Sequence, residues 1–179
     1  EAMLPYFSEH YGNASSIYSL ARAARQATDR SRESVAGALG AKPEEIIFTG
    51  GGSEADNLAI KGIAFSSRTK GNHIITSRIE HHAVGHTCEW LKKQGFEITE
   101  LPVNRDGFVD PDDLGRAITD QTILITIMHA NNEIGVIEPV AEIGQIAKAR
   151  HEPFHTDAVQ SAGSLPLNVD ELGVDMLSM

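Results

Sequence analysis

Short apolar runs rich in β-branched residues alternate with segments of helical periodicity along most of the chain. The apolar runs predict strands at residues 46–49, 73–76, 96–101, 122–127, 153–156 and 174–177. The periodic segments predict helices at residues 16–39, 53–64, 82–94, 112–117 and 139–149. This alternation indicates an α/β fold, with three layers (α/β/α) around a mostly parallel central sheet.

The composition narrows the class of protein. The chain has 179 residues, 41% of them hydrophobic, which suits one domain over residues 1–179 with a sizeable core. Its 25 acidic and 15 basic side chains give a formal net charge of −10, which disfavours nucleic acid and anionic membranes as partners. No apolar stretch reaches the roughly 20 residues of a membrane span. Cys88 is the only cysteine, so a disulfide framework is excluded and we expect a cytoplasmic protein.

Ligands of a parallel sheet gather at the carboxyl ends of its strands, so the residues that follow each strand are the candidates for chemistry. The predicted strand at 46–49 leads into three glycines, Gly50 to Gly52, and then Ser53 at the start of a helix. Glycines allow close backbone approach, and a helix N-terminus attracts phosphate. A flexible turn with a serine cap is the alternative. A Walker lysine and a GxGxxG pattern are both absent, which disfavours a nucleotide.

Histidines follow the strand at 73–76. A histidine at this edge, His81, can lie flat on an aromatic cofactor and transfer protons near neutral pH. It can also simply cap the following helix. His82 and His86 are four residues apart and could form a metal pair, but we predict no metal because a third ligand and the HExxH pattern are missing.

Amide and carboxylate side chains follow two further strands. Asn131 and Asn132 precede a glycine, which by itself favours a turn. Asp157 could cap a helix or face a ligand cation, and Gln160 could share that ligand. A phosphate cradle, a flat imidazole, an amide and a carboxylate at one sheet edge together fit a pyridine ring with a phosphate arm.

The blocks FTGGGSEADNLAIKG, EHHAV, MHANNEIGV and FHTDAVQS occur in an order and spacing that resemble the NifS-like cysteine desulfurases. These belong to the class-V aminotransferase-like, fold-type I enzymes that use pyridoxal 5′-phosphate (PLP). The likeness covers essentially the whole chain and implies most of the PLP-binding large domain. The chain start, the small C-terminal domain, the nucleophilic cysteine and the cofactor-bearing lysine, in a Ser-x-His-Lys segment after Met179, are then expected outside residues 1–179.

The resemblance implies that the cofactor is held by Gly52, Ser53, His81, Asn132, Asp157 and Gln160. Gly52 and Ser53 should bind the phosphate, with Ser53 standing where many relatives have threonine. His81 should stack on the pyridine ring and act as the catalytic acid and base.

For the remaining contacts, the resemblance implies that Asp157 pairs with the ring nitrogen and that Gln160 bonds the phenolic oxygen. Asn132 should lie near that oxygen and the substrate carboxylate. Cys88 falls inside the helix after His81, so we interpret it as a small buried hydrophobe and not as the nucleophile.

The implied reaction converts L-cysteine to L-alanine and passes the sulfur to an enzyme cysteine as a persulfide. A homodimer and a sulfur-acceptor protein, for iron–sulfur cluster assembly or another pathway, are the implied partners. A selenocysteine lyase of the same fold remains an alternative. So does a truncated, non-catalytic PLP-binding module, because the lysine lies beyond Met179.

Overall fold

A computed structural model describes residues 3–179, and the chain divides into two units, Glu1–Ile47 and Phe48–Met179. The first unit contains the short helix α1 (Pro5–Ser8), the long helix α2 (Ser19–Leu39) and a 3-10 turn (Pro43–Glu45). Helix α2 confirms the predicted helix at 16–39, although it begins at residue 19. It ends at Gly40, whose φ of 71° is the left-handed conformation usual after a helix.

The second unit is an alternation of strands and helices. Its strands are β1 (His73–Ser77), β2 (Glu97–Leu101), β3 (Thr122–Thr126), β4 (Phe154–Asp157) and β5 (Met176–Ser178). Its helices are α3 (Gly52–Ser66), α4 (His82–Lys93), α5 (Pro111–Ala117), α6 (Val140–Arg150) and α7 (Val169–Leu172). These elements confirm the predicted strands from 73 onward and the predicted helices within a few residues. The helices α1 and α7 and the 3-10 turn were not predicted.

The five strands form one sheet in the order β2-β1-β3-β4-β5, and every neighbouring pair is parallel. The chain leaves β1 in one direction, toward β2, and leaves β3 in the opposite direction, toward β4. The boundary between β1 and β3 is therefore a topological switch point, where an open parallel sheet leaves a crevice at its carboxyl edge.

Successive side chains of β1 pack into two separate cores on the two faces of the sheet. Ile74 packs with residues of α3 and α4, including Ile60 and Leu91. Ile75 packs with residues of α5 and α6, including Leu114 and Ile143. Because neighbouring residues of a strand point to opposite faces, this division confirms the three-layer α/β/α fold.

The predicted strand at 46–49 is wrong. Ile46 has extended backbone angles (φ −88°, ψ 126°), but residues 46–49 belong to no strand of the described chain. Ile47 and Phe48 are 70% and 51% exposed. An apolar, β-branched run favours extended backbone, whereas a strand also requires a neighbour that completes its hydrogen bonds.

None of the described helices is long and apolar enough to cross a membrane.

Candidate functional site

A cavity of about 140 Å³ lies at the carboxyl edge of the sheet, beside the switch point. Its lining comprises Gly52, Ser53, Asp56, His81, Met128, Asn132, Asp157, Val159 and Gln160. All six residues predicted from the sequence therefore meet in one place. The sequence analysis missed the other three, Asp56, Met128 and Val159.

The N-terminus of α3 forms one wall of this cavity. Gly51 precedes the helix with a φ of 154°, a conformation that L side chains rarely adopt. Its carbonyl accepts the N–H groups of Glu54 and Ala55. The N–H groups of the first two helical residues, Gly52 and Ser53, have no intrahelical acceptor and lie at the positive end of the helix dipole. This wall is suited to an anion such as a phosphate.

Gly52 also makes a close approach to the opposite wall. A Cβ atom at position 52 would lie 2.5 Å from Cγ2 of Val159, closer than two carbon atoms can approach. Only a residue without a side chain fits here while Val159 keeps its place. The cavity is narrow here because the first residue of α3 and the segment after β4 lie against each other.

His81 is both the cap of α4 and a lining residue of the cavity. Its Nδ1 atom accepts the N–H of Ala83 at 3.2 Å, which places the proton of the neutral ring on Nε2. The capping alternative is therefore correct, and it coexists with a position at the site. His82 and His86 stack with ring centroids 5.2 Å apart. Within residues 3–179, no third ligand joins them to form a metal site.

The two asparagines after β3 have different roles: Asn131 forms the turn, and Asn132 lines the cavity. The Asn131 side-chain oxygen accepts the N–H groups of Glu133 and Ile134 at 2.8 and 2.9 Å, so the predicted turn is confirmed. Its amide donates to the carbonyl of Ile79 at 2.8 Å and ties this loop to the end of β1. Asn132, the next residue, is exposed and lines the cavity.

Asp157 is the last residue of β4 and is only 5% exposed. One carboxylate oxygen accepts the N–H of Val159 at 3.0 Å. Burial raises the pKa of this carboxyl, and the Val159 N–H and the nearby His81 ring partly offset the rise. A carboxylate with so little hydration is stabilised by a cation placed in the cavity.

A second buried carboxyl, Glu80, lies beneath the site and was also missed. One of its oxygens accepts the Ser77 hydroxyl at 2.6 Å and the N–H of Met128 at 2.9 Å, which links the ends of β1 and β3. Burial raises the pKa of Glu80 to about 8, so it is mostly protonated at neutral pH. The available signal was its place between the end of an apolar strand and His81.

Cys88 has the inert environment that its position in α4 predicted. The side chain is 2% exposed and packs in the core between α3, α4 and the sheet. Burial raises the pKa of its thiol to about 12, which removes the thiolate needed of a nucleophile. The interpretation of Cys88 as a small buried hydrophobe is confirmed.

Several known proteins are similar to this chain in sequence or in fold. The cysteine desulfurase IscS of Dictyoglomus turgidum is 60% identical over all 179 residues, and that of Methanosarcina thermophila is 59% identical. A solved structure described as SspA in complex with cysteine superposes with a TM-score of 0.94 at 42% identity, over 99% of this chain and 52% of that one.

The matches cover only part of the length of each relative. The chain spans 45% and 44% of the two IscS proteins, about half the length of the curated relatives that it matches. The family profile described as Aminotransferase class-V matches residues 1–179. The enzymes of that family use PLP, the cofactor predicted from the sequence. The chain belongs to the class-V aminotransferase family.

Proposed function

We propose that this chain is the cofactor-binding part of a PLP-dependent cysteine desulfurase. The observation that carries the proposal is the meeting of all six predicted residues in one cavity at the switch point of the sheet, with the buried Asp157 among them. Two further findings support it: the relatives named cysteine desulfurase IscS, and the similar structure described as a complex with cysteine.

The residues of the cavity fit the cofactor at both of its charged ends. The free N–H groups of Gly52 and Ser53 suit the phosphate, and the close contact between Gly52 and Val159 keeps side chains out of that cradle. The buried carboxylate of Asp157 suits the protonated ring nitrogen. When bound, PLP supplies an electron sink that weakens the bonds at the α-carbon of an amino acid.

The remaining side chains would position the substrate and carry protons. His81 has its Nδ1 atom occupied by the Ala83 N–H, so Nε2 is the atom through which it gives or takes a proton. The exposed amides of Asn132 and Gln160 can each donate to an oxygen at the open side of the cavity. The predicted contacts of these two amides, with the phenolic oxygen and the substrate carboxylate, remain proposals.

The proposed reaction balances without an added oxidant. The C–S bond of L-cysteine breaks, and a new S–S bond forms between that sulfur and an enzyme thiolate. The carbon skeleton takes up a proton and leaves as L-alanine, and the enzyme thiol becomes a persulfide. Cys88 cannot serve as this thiol because it is buried and its pKa is raised, so we propose that the nucleophile lies outside residues 1–179.

The test uses the full-length protein that contains this chain. After addition of PLP and reduction with borohydride, we expect an intact mass with one covalent pyridoxyl adduct. With L-cysteine and a thiol reductant, we expect L-alanine and sulfide in equal amounts. Binding of PLP without release of alanine from cysteine would contradict the proposal, and release from selenocysteine alone would assign the selenocysteine lyase instead. Absence of an adduct would favour a non-catalytic module.

We also propose a homodimer, a sulfur-acceptor protein and a cytoplasmic location for the full-length protein. The family resemblance supports the first two, and the scarcity of cysteine supports the third. The assignment of residues 1–179 to one domain remains a prediction. Light scattering of the purified full-length protein tests the dimer directly, and a monomeric mass at micromolar concentration would contradict it.

A further inference from the structure

Asp56 is a carboxyl group of the cavity for which the proposed function gives no role. It lies in the second turn of α3, one turn after Ser53, and lines the same cavity as Asp157. Its side chain is 1% exposed. Among the residues that the structure describes, its Oδ1 atom has no hydrogen-bond partner. A buried oxygen without a partner is costly, so its presence beside a ligand cavity requires an explanation.

A chain of polar side chains leads from Asp56 into the sheet. The Ser178 hydroxyl hydrogen-bonds to Asp56, and the Oγ atom of Ser178 lies 2.9 Å from Nε2 of His155. The Nδ1 atom of His155 lies 2.8 Å from the Thr126 hydroxyl. Both ring nitrogens of His155 therefore have hydroxyl partners, and this chain fixes the position of Ser178 against the Asp56 carboxyl.

Asp56 and His155 do not form an ion pair at neutral pH. Their closest atoms, Oδ1 and Nε2, are 3.7 Å apart. Burial lowers the pKa of His155 to about 4, so the ring is neutral. Burial, followed by the charge of Asp157, raises the pKa of Asp56 to about 7, and the Ser178 hydrogen bond offsets part of this rise. Between pH 4 and pH 7 both groups are thus neutral.

The pair of carboxyls, Asp56 and Asp157, resembles other buried pairs in which only one member ionises readily. Asp157 receives a backbone N–H and lies near His81, whereas Asp56 has only the Ser178 hydroxyl. Asp157 is therefore the member that carries the charge in the empty cavity. Burial, with smaller contributions from the charges of Asp157 and Asp56, raises the pKa of the nearby Glu80 to about 8, so this third carboxyl is mostly protonated at neutral pH.

We propose that Asp56 stores a proton in the empty cavity and releases it when a protonated ring nitrogen binds beside Asp157. This inference rests on the proposed PLP site. While the cavity is empty, the stored proton removes the repulsion between two buried carboxyls. When the cation is bound, the proton leaves through the cavity to solvent, and the Asp56 carboxylate becomes a second negative charge facing the ring. Asp56 is thus a positioning residue that favours the protonated ring.

The test counts protons during PLP binding to the full-length apoprotein. Calorimetry in two buffers of different ionisation enthalpy gives the number of protons released by the wild type, by Asp56→Asn and by the control Asp120→Asn, an exposed aspartate. If the cation lowers the pKa of Asp56 by one to three units, the wild type releases about 0.5–0.8 proton more than Asp56→Asn near pH 6.5. The difference shrinks toward zero at pH 9, where Asp56 is already ionised. Asp120→Asn should match the wild type.

The outcomes separate this inference from the proposed function. Equal proton release by the wild type and Asp56→Asn, with PLP bound by both, would overturn the storage role and leave the PLP site intact. Failure of the wild type to bind PLP, or undiminished binding by Asp157→Asn, would overturn the PLP site itself. If Asp56→Asn does not fold, ¹³C NMR of aspartate-labelled wild type decides instead. We expect one carboxyl to titrate near pH 7 without PLP and well below it with PLP, and an unchanged titration would overturn the inference.

Discussion

Two cavities lie at opposite edges of the sheet, and the larger of the two has fewer buried polar groups in its lining. The cavity at the amino-terminal ends of β4 and β5 has a volume of about 640 Å³, against about 140 Å³ at the carboxyl edge. Its carboxylate Asp175 makes a structural contact, because it accepts the N–H of Phe154 at 2.9 Å and holds the start of β4. Volume alone would therefore not select the candidate site.

At the carboxyl edge, by contrast, buried polar groups converge on a small space. Asp56 and Asp157 line it and Glu80 lies beneath it, and burial raises the pKa of all three. Clusters of perturbed carboxyls mark functional sites more often than structural ones. The contrast can be tested by making the same substitution at both edges.

The largest difference is expected between Asp157→Asn and Asp175→Asn. The first variant removes the buried charge that would pair with the ring nitrogen, so we expect PLP affinity to fall about 100-fold, or about 3 kcal/mol. In the second, the asparagine oxygen can still accept the Phe154 N–H, and the site lies at the opposite edge. We expect its affinity to remain within twofold, as measured by absorbance titration of the full-length apoprotein. An equal loss in both variants would show that the two edges are not functionally distinct.

A smaller effect, on stability, is expected at Glu80. Glu80→Ala leaves the Ser77 hydroxyl and the Met128 N–H without their acceptor, which should lower the free energy of unfolding by about 2–3 kcal/mol. Glu80→Gln keeps an oxygen for both donors and should stay within about 1 kcal/mol of the wild type at pH 5, where Glu80 is protonated in the folded protein and matches the neutral amide. Urea unfolding of the full-length protein measures both values. Equal losses in the two variants would mean that the hydrogen bonds to Glu80 do not hold the ends of β1 and β3 together.

The raised pKa of Glu80 also predicts that the free energy of unfolding depends on pH. Its pKa is about 8 in the folded protein, above the ordinary value of 4.5, so the folded state binds this proton more tightly than the unfolded state. The contribution of Glu80 to stability is then greatest near pH 4.5 and falls as pH rises toward 8. The stability of the wild type relative to Glu80→Gln should fall over the same range. A constant difference from pH 5 to pH 8 would contradict the protonated state of Glu80.

Much of this fold and site followed from the sequence, because the signals were local. The predicted strand at 122–127 was apolar enough to be buried on both faces, and the structure buries every residue of β3. Gly52 begins a helix, His81 caps a helix and Asp157 ends a strand, and parallel topology brings such positions to one edge.

The failures involve properties that depend on distant partners. Residues 46–49 have the composition of a strand, but composition does not supply the neighbour that a strand requires. Asp56 is inside a helix, where a polar residue normally faces solvent, and only the packing of α3 against the sheet shows that it faces the cavity. Glu80 likewise accepts a hydrogen bond from the N–H of Met128, which is far from it in the sequence.

A moderate effect is expected from Gly52→Ala at the phosphate end of the cavity. The added Cβ would lie 2.5 Å from Cγ2 of Val159, so one of the two walls must move. Overpacking of this kind costs about 1–3 kcal/mol, and we expect roughly tenfold weaker PLP binding. Shortening the opposing side chain should relieve the clash, so the double variant Gly52→Ala with Val159→Ala should regain most of the affinity. No recovery in the double variant would show that the glycine serves something other than this contact.

The smallest predicted effects compare two neighbouring histidines at the same helix N-terminus. His81 lines the cavity and caps α4 through Nδ1, whereas His82 stacks with His86 on the exposed surface. Because asparagine is also a strong helix cap, His81→Asn should keep the free energy of unfolding within about 0.5 kcal/mol of the wild type. The same variant loses the ring that would lie on the cofactor, so we expect a shifted absorbance of bound PLP and severalfold weaker binding. His82→Asn should change neither quantity, and an altered PLP spectrum in that variant would mean that the histidine facing the cofactor has been assigned to the wrong position.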